Sequence, residues 1–308
     1  MKSAPKENVP ETMELNANLV SWTVILRYVG ALFLFSWGLQ IAAINVTAGL
    51  DDPAMNGWLA ATMLTPALVT FFFLRFHPAL KSKLVWTPTI KIVWAVFLSV
   101  LIPIVFASLV VLMFESLHWG TSRWFEFSSN VTISDGPFLL GLGSQSWFIF
   151  AANLFITGFL FAFLNGFLAA GEEIAWRGLL QGLLVERLGV WKGILLLGFL
   201  WAMWHLPIQL FGYNYPENPI MGSFIFSPLV LIGYSFFMGW MTVYSKSFIP
   251  AAIAHGAGNG IQEGMISQIA LATPELNMYW IRVLISVAIG LVFLCFWPRS
   301  KTQGKQTE

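Results

Sequence analysis

Residues 171–178 read GEEIAWRG, and they follow directly on SWFIFAANLFITGFLFAFLNGFLAA (146–170), a run without a single charge. Only 10% of the chain is Asp, Glu, Lys or Arg, so three charges within two helical turns ask for a reason. On a helix Glu173 and Arg177 stand four apart, the favourable order for an ion pair. Glu172 lies about 100° further round the axis, so Arg177 does not serve both acids equally. In one reading Glu173 and Arg177 brace each other and Glu172 is left free for chemistry. In the other the stretch is an ordinary salt bridge at a membrane edge with a spare interfacial carboxylate.

The chain around it has 308 residues, is 57% hydrophobic and has a mean hydropathy of +0.73. Soluble domains carry about a quarter charged residues. This composition predicts an all-α, polytopic transmembrane bundle, a multi-pass integral protein of the cell (inner) membrane in contact with lipids. The 28 Phe and 15 Trp suit lipid-facing helices and interfacial belts. A net charge of +1 without a basic block offers nothing to nucleic acid. A lone cysteine, Cys295, excludes an intramolecular disulfide and a multi-thiolate metal site. Residues 1–20 are polar, with Pro5 and Pro10, and are expected to form a disordered cytoplasmic tail; 298–308 form a second. Between them a single transmembrane domain covers 21–297, with its core near 147–270. The apolar run from Val20 is long enough to span, which speaks against a cleavable signal.

About 20 apolar residues cross a bilayer. Spans are expected near 21–45, 57–76, 90–114, 147–171, 193–211, 224–245, 249–268 and 280–297. With the N-terminus inside, the inner segments hold Lys2, Lys6, Arg75, Lys81, Lys83, Lys91, Arg177, Arg187, Lys192, Lys246, Arg299, Lys301 and Lys305, and the outer segments only Arg123 and Arg282. That asymmetry predicts eight spans with both termini cytoplasmic. The seventh span, rich in small residues, is expected inside the bundle, where small residues admit close helix approach. The connection 115–146 reads as a short interfacial helix or an ordered loop.

Polar groups at membrane depth are costly and usually line a cavity. Beside the GEEIAWRG charges they are few. His205 lies in LLLGFLWAMWHLPIQLF (195–211), two residues before Pro207, which frees a backbone carbonyl. His255 and Asn259 are four apart in AHGAGNG (254–260), where Gly256, Gly258 and Gly260 allow a helix or a substrate backbone to come close. Each alone also reads as an interhelical clasp. Gln262 and Glu263 read as the outer end of that helix and are not assigned to the site; His77 and His118 fall in loop or interface segments. Together, one carboxylate, two histidines and a carboxamide on three spans supply a general base and an electrophilic clamp, the minimum for amide hydrolysis. The HExxH and GxSxG signatures are absent, as are paired aspartates suited to aspartyl intramembrane cleavage.

These motifs resemble those of the CAAX prenyl protease and bacteriocin-processing family of intramembrane endopeptidases, also called CPBP or Abi. The family pattern is EExxxR, then an aromatic with a histidine four residues on, then HxxxN or HxxxD. Here it reads Glu172-Glu173-Ile-Ala-Trp-Arg177, Trp201-Ala-Met-Trp-His205 and His255-Gly-Ala-Gly-Asn259. The second motif usually begins with Phe, so Trp201 is a departure. The resemblance covers roughly 150–270. It implies proteolysis within the bilayer near its cytoplasmic side, of a peptide or protein substrate that is prenylated or a membrane peptide. Carried over, Glu172 activates the attacking water, His205 positions it, and His255 and Asn259 stabilise the oxyanion, with Glu173–Arg177 as supporting ion pair. It also leaves open a divalent metal such as zinc, for which Glu172, His205, His255 and Asn259 are the candidate ligands. Two other classes stay open: a non-proteolytic scaffold or immunity-type protein of the same fold, and a small transporter, although no internal repeat is visible.

Depth sets one further expectation. Counting ~1.5 Å per residue puts His205 roughly 18 Å and His255 about 12 Å below the inner surface, while Glu172 lies near the end of its span. These levels agree if helices tilt, if the cavity is recessed, or if the helix of Glu172 continues past Arg177 through GLLQGLLVERLG (178–189).

Overall fold

The structure is a computed structural model that describes residues 19–122, 130–133, 138–267 and 269–298. The expected tails fall, but for their innermost residues, outside the described residues, as do Arg123 and Asp135.

The chain folds into a helical membrane bundle. Its elements are α1 (Trp22–Val46), α2 (Pro53–Phe76), a 3-10 turn (Pro78–Lys83), α3 (Ile92–Ser116), α4 (Trp147–Ala175), α5 (Gln181–Trp204), α6 (Leu206–Leu210), α7 (Pro219–Met221), α8 (Ser227–Ser245), α9 (Ile249–Ala257), α10 (Glu263–Ile266) and α11 (Glu275–Cys295). Side-chain caps start several of them: Ser21 and Ser146 accept the backbone N–H of Val24 and Ile149, and Asp52 that of Ala54. Asp52 also accepts from Ala48, and the two N–H groups hold its carboxyl below the usual range. Three π turns, Trp176–Leu180, Gly222–Phe226 and Gly258–Gln262, join α4 to α5, α7 to α8 and α9 to α10 without a break.

Six stretches are long and apolar enough to cross a membrane: Trp22–Val46, Pro53–Phe76, Ile92–Ser116, Trp147–Trp204, Pro219–Ser245 and Glu275–Cys295. The fourth contains the expected span 147–171 and most of the expected span 193–211. Its helix does run on past Arg177, and the chain reverses only at Gly189, whose φ of 75° suits a residue without Cβ. The expected seventh span is the helical run 249–266. With His255, Asn259, Gln262 and Glu263 it is too polar to stand alone in lipid, and Pro250–Ala257 are all buried against α4, α3 and α8.

Of the two expectations for the connection 115–146, the described residues follow the ordered loop. Among its described residues there is no interfacial helix; β2 (Val131–Ile133) and β3 (Gly143–Gln145) pair antiparallel. A further two-residue strand, β1 (Gly120–Thr121), pairs with β4 (Ala270–Leu271) and ties this connection to the segment before α11. Val131 and Ile133 are buried on one side of β2 while Thr132 is exposed, the period-two pattern that favours a strand over a helix.

A second backbone device places the end of α5. Pro207 has no N–H to give Met203 O, and Trp37 Nε1 donates there instead (3.2 Å). One step on, Gln40 enters the helical ladder. Its Nε2 donates to Trp204 O (2.9 Å) and its Oε1 accepts Ile208 N–H (3.3 Å), the two groups that would otherwise bond each other. Gln40 is buried and was not singled out from the sequence.

Close packing is set by glycine where α9 crosses α4. A Cβ on Gly256 would lie 2.6 Å from Ala162 O and closer still to Gly166 N, both backbone atoms that have nowhere to go. Gly264 has nothing within 4 Å. Gly256→Ala is therefore expected to force the two helices apart and cost at least about 1–3 kcal/mol, the range for overpacking. Gly264→Ala should leave stability unchanged or slightly raised. Melting temperature in detergent compares them; an unchanged Gly256→Ala would contradict the packing described.

Candidate active site

Glu172 and Glu173 end α4, and Arg177 sits in the π turn that follows. All three side chains are at most 1% exposed. Arg177 Nη1 donates to Glu173 Oε1 (3.0 Å), its Nη2 to Ser235 Oγ on α8 (3.1 Å), and its Cζ lies 4.0 Å over the ring of Trp201 on α5. Glu173 Oε1 also lies 3.0 Å from His255 Nδ1. Since a carboxylate only accepts, His255 donates through Nδ1 and that bond leaves Nε2 free.

Glu172 turns elsewhere. Its Oε2 accepts the indole N–H of Trp201 (3.0 Å). A phenylalanine, usual at that motif position, has no such donor. Trp201 thus shows its face to Arg177, its N–H to Glu172 and its backbone carbonyl to His205, whose Nδ1 lies 2.9 Å away. A carbonyl only accepts, so His205 carries its proton on Nδ1 and its lone pair on Nε2. The edges of Trp204 and Trp201 hold the two imidazoles in place, with ring centroids 4.7 Å (Trp204–His205) and 5.2 Å (Trp201–His255) apart.

One polar cavity is lined by Glu172, His205, His255 and Asn259, together with Gln40 and Asn214. A neighbouring cavity shares His205, His255, Asn259 and Asn214 and extends to Tyr234, Gln262, Glu263 and Arg282. Glu173 and Arg177 line neither. Asn259 is exposed and stands in a π turn rather than in an α-helix, so the four-residue spacing from His255 spans two helical geometries. Such insertions often occur at functional sites.

Several lining residues were not expected. Gln262 and Glu263 were set aside as a helix end, yet Gln262 accepts the hydroxyl of Tyr234, and Arg282 donates to Glu263, all in the cavity wall. Arg282 stood out only as one of two outer basic residues. Gln40 was legible as a lone amide in an apolar run.

A divalent ion would have to draw on Glu172, His205, His255 and Asn259. Among the described residues no three His, Cys, Asp or Glu side chains gather closely enough to form a ligand set. This spacing does not fit a metal, and no step below is routed through one.

Comparison with known proteins adds a further observation. Residues 145–261 match the family model "type II CAAX prenyl endopeptidase Rce1-like". The match begins just before α4 and ends in the π turn that holds Asn259. A 133-residue stretch is 32% identical to CAAX prenyl protease 2 of Methanococcus maripaludis, covering 39% of this chain and 47% of the relative. The chain thus matches about half the length of that curated relative. With the three motifs in order and in one place, the chain over these residues is similar to the CAAX prenyl protease and bacteriocin-processing family.

Proposed function

We propose that this chain is a membrane-embedded endopeptidase of the CAAX prenyl protease type that hydrolyses a peptide bond with a glutamate-activated water. One observation carries the reading: of the two adjacent acids only Glu172 lines the cavity that His205, His255 and Asn259 share. The family match and the relative's name support the reaction class.

The steps follow from donor and acceptor chemistry. Glu172 takes a proton from water as the oxygen adds to the scissile carbonyl carbon. His205 offers an Nε2 lone pair that orients the same water. Asn259 donates its carboxamide N–H groups to the oxyanion, and His255, held through Nδ1 by Glu173, flanks it. Glu172 then passes the proton to the departing amine as the C–N bond breaks. Glu173 acts through His255 and Arg177 and is a positioning residue.

Glu172→Gln should lose at least ~10²-fold in turnover, the lower end of general-base effects, while its melting temperature stays near that of the parent protein. Glu173→Gln leaves Arg177 buried without its carboxylate, which typically costs about 3–5 kcal/mol, and should melt lower and express poorly. Arg177→Ala should resemble it, and the double variant should be milder than the sum because the two residues are coupled. The assay is melting and specific activity of purified protein on a prenylated CAAX peptide and on a non-lipidated peptide library. A stable, active Glu172→Gln would overturn the assignment of Glu172 as the base.

Turnover is also expected to survive dialysis against a strong chelator. Loss of activity that added zinc restores would bring Glu172, His205, His255 and Asn259 back as ligands.

A further inference from the structure

The proposed reaction engages Glu172, His205, His255 and Asn259 and leaves the polar wall of the neighbouring cavity without a task. We infer that this cavity is the subsite for the departing end of the peptide, and that Arg282 binds the peptide's C-terminal carboxylate there. The inference rests on the endopeptidase reading above.

Position is the first argument. The two cavities meet at His205, His255 and Asn259, so a peptide cut at that junction has one part in each. Glu172 lines one of them, and Arg282 lines the other. From Asn259 to Glu263 a helical run advances about 6 Å, and an extended peptide advances about 3.3 Å per residue. Arg282, bonded to Glu263, thus meets a group about two to four residues beyond a carbonyl held at Asn259. Gln262, Glu263 and Arg282 all lie beyond the matched segment 145–261, so the family match carries no role for them.

The chemistry of the wall is the second. Arg282 is the one Lys or Arg among the residues lining this cavity. Its Nη2 donates to Glu263 Oε1, and among the described residues its guanidinium makes no other hydrogen bond. A guanidinium has five N–H groups, so Nη1 and Nε stay available to a second carboxylate. Glu263 is held in turn: Gln262 Nε2 donates to its Oε1 (3.3 Å), and Gln262 accepts the hydroxyl of Tyr234. This chain aligns Arg282 and keeps its charge answered when no peptide is bound. The hydroxyl of Tyr215 and the amide of Asn214 add donors that have no internal partner among the described residues. A wall rich in free donors suits an anion. Gln209 marks it as a peptide subsite. It is 2% exposed, its Nε2 donates to Ser227 Oγ (2.8 Å), and its Oε1 has no partner among the described residues. A buried carbonyl without a donor is costly, and a backbone N–H of the peptide supplies one.

Binding and turnover test this separately. Binding is read by fluorescence anisotropy in the Glu172→Gln protein, with a labelled prenylated CAAX peptide as its C-terminal acid and as its C-terminal amide. The acid should bind at least ~10-fold tighter, the lower end for a hydrogen bond to a charged group. Arg282→Gln should remove the difference by weakening the acid alone, and Arg282→Lys should keep part of it. Arg282→Gln combined with Glu263→Gln removes both charges together, so no buried ion is left unpaired if the single change fails to fold. With Glu172 in place, the same double change should raise KM for the acid at least ~10-fold at nearly constant kcat, and leave the amide unchanged. Equal affinity for acid and amide overturns the inference, as does a preference for the acid that survives the double change. An amidated peptide ending in Asp that binds as tightly as the acid assigns the carboxylate to a side chain and overturns the terminal reading. Discrimination of acid from amide without turnover in the parental protein defeats the endopeptidase reading and leaves the carboxylate subsite in place. Turnover without discrimination does the opposite.

Discussion

A guanidinium keeps its charge wherever the chain puts it, and here the chain puts Arg177 where water does not reach. Removing such an ion from water costs several kcal/mol unless the surroundings answer it. Three elements do so: Glu173 at the end of α4, Ser235 on α8 and the face of Trp201 on α5. Glu173 then reaches a fourth, α9, through His255. The need to satisfy one cation therefore fixes the mutual register of the four helices that carry the site. The glycine crossing of α9 on α4 makes this possible, because a larger residue at Gly256 would hold His255 away from Glu173.

Much of this was legible in the sequence, and the reason is local. Helical geometry relates Glu173 to Arg177 and sets Glu172 aside at 100°, so a bracing acid and a free one could be read from four residues. Hydropathy located every long helix, because the bilayer fixes their length. What could not be read is which helices are neighbours. Gln262 and Glu263 looked like a helix end because nothing in the order of residues brings Tyr234 and Arg282 to them across the bundle. The π turns were equally hidden, since an extra residue in a helix leaves no mark in an apolar pattern. Residues 131–133 and 143–145 were missed as strands because two short runs gain stability only as a pair.

Trp201 shows how a departure from a family pattern acquires meaning once partners are known. Trp201 lays an aromatic ring over Arg177. The indole adds one donor, and that donor meets Glu172, the acid of the adjacent pair that lines the cavity. A fixed hydrogen bond to Glu172 Oε2 orients the carboxylate, and through its own carbonyl the same residue sets the tautomer of His205. Two proposed catalytic groups are thus held by one side chain and its backbone.

The polar cavity also needs α5 to stop inside the bundle, and that stop has its own cost. Ending α5 at Trp204 leaves carbonyls that a bilayer does not hydrate, and each must find a donor inside the protein. Pro207 creates the gap by withholding an N–H from Met203 O, and Trp37 fills it. Gln40 does the reciprocal task at the next rung, giving an N–H to Trp204 O and taking one from Ile208. Both residues come from α1, outside the matched segment 145–261. The first helix is therefore part of the site's architecture: it satisfies the backbone whose interruption lets His205 leave the helical ladder and line the cavity beside Glu172.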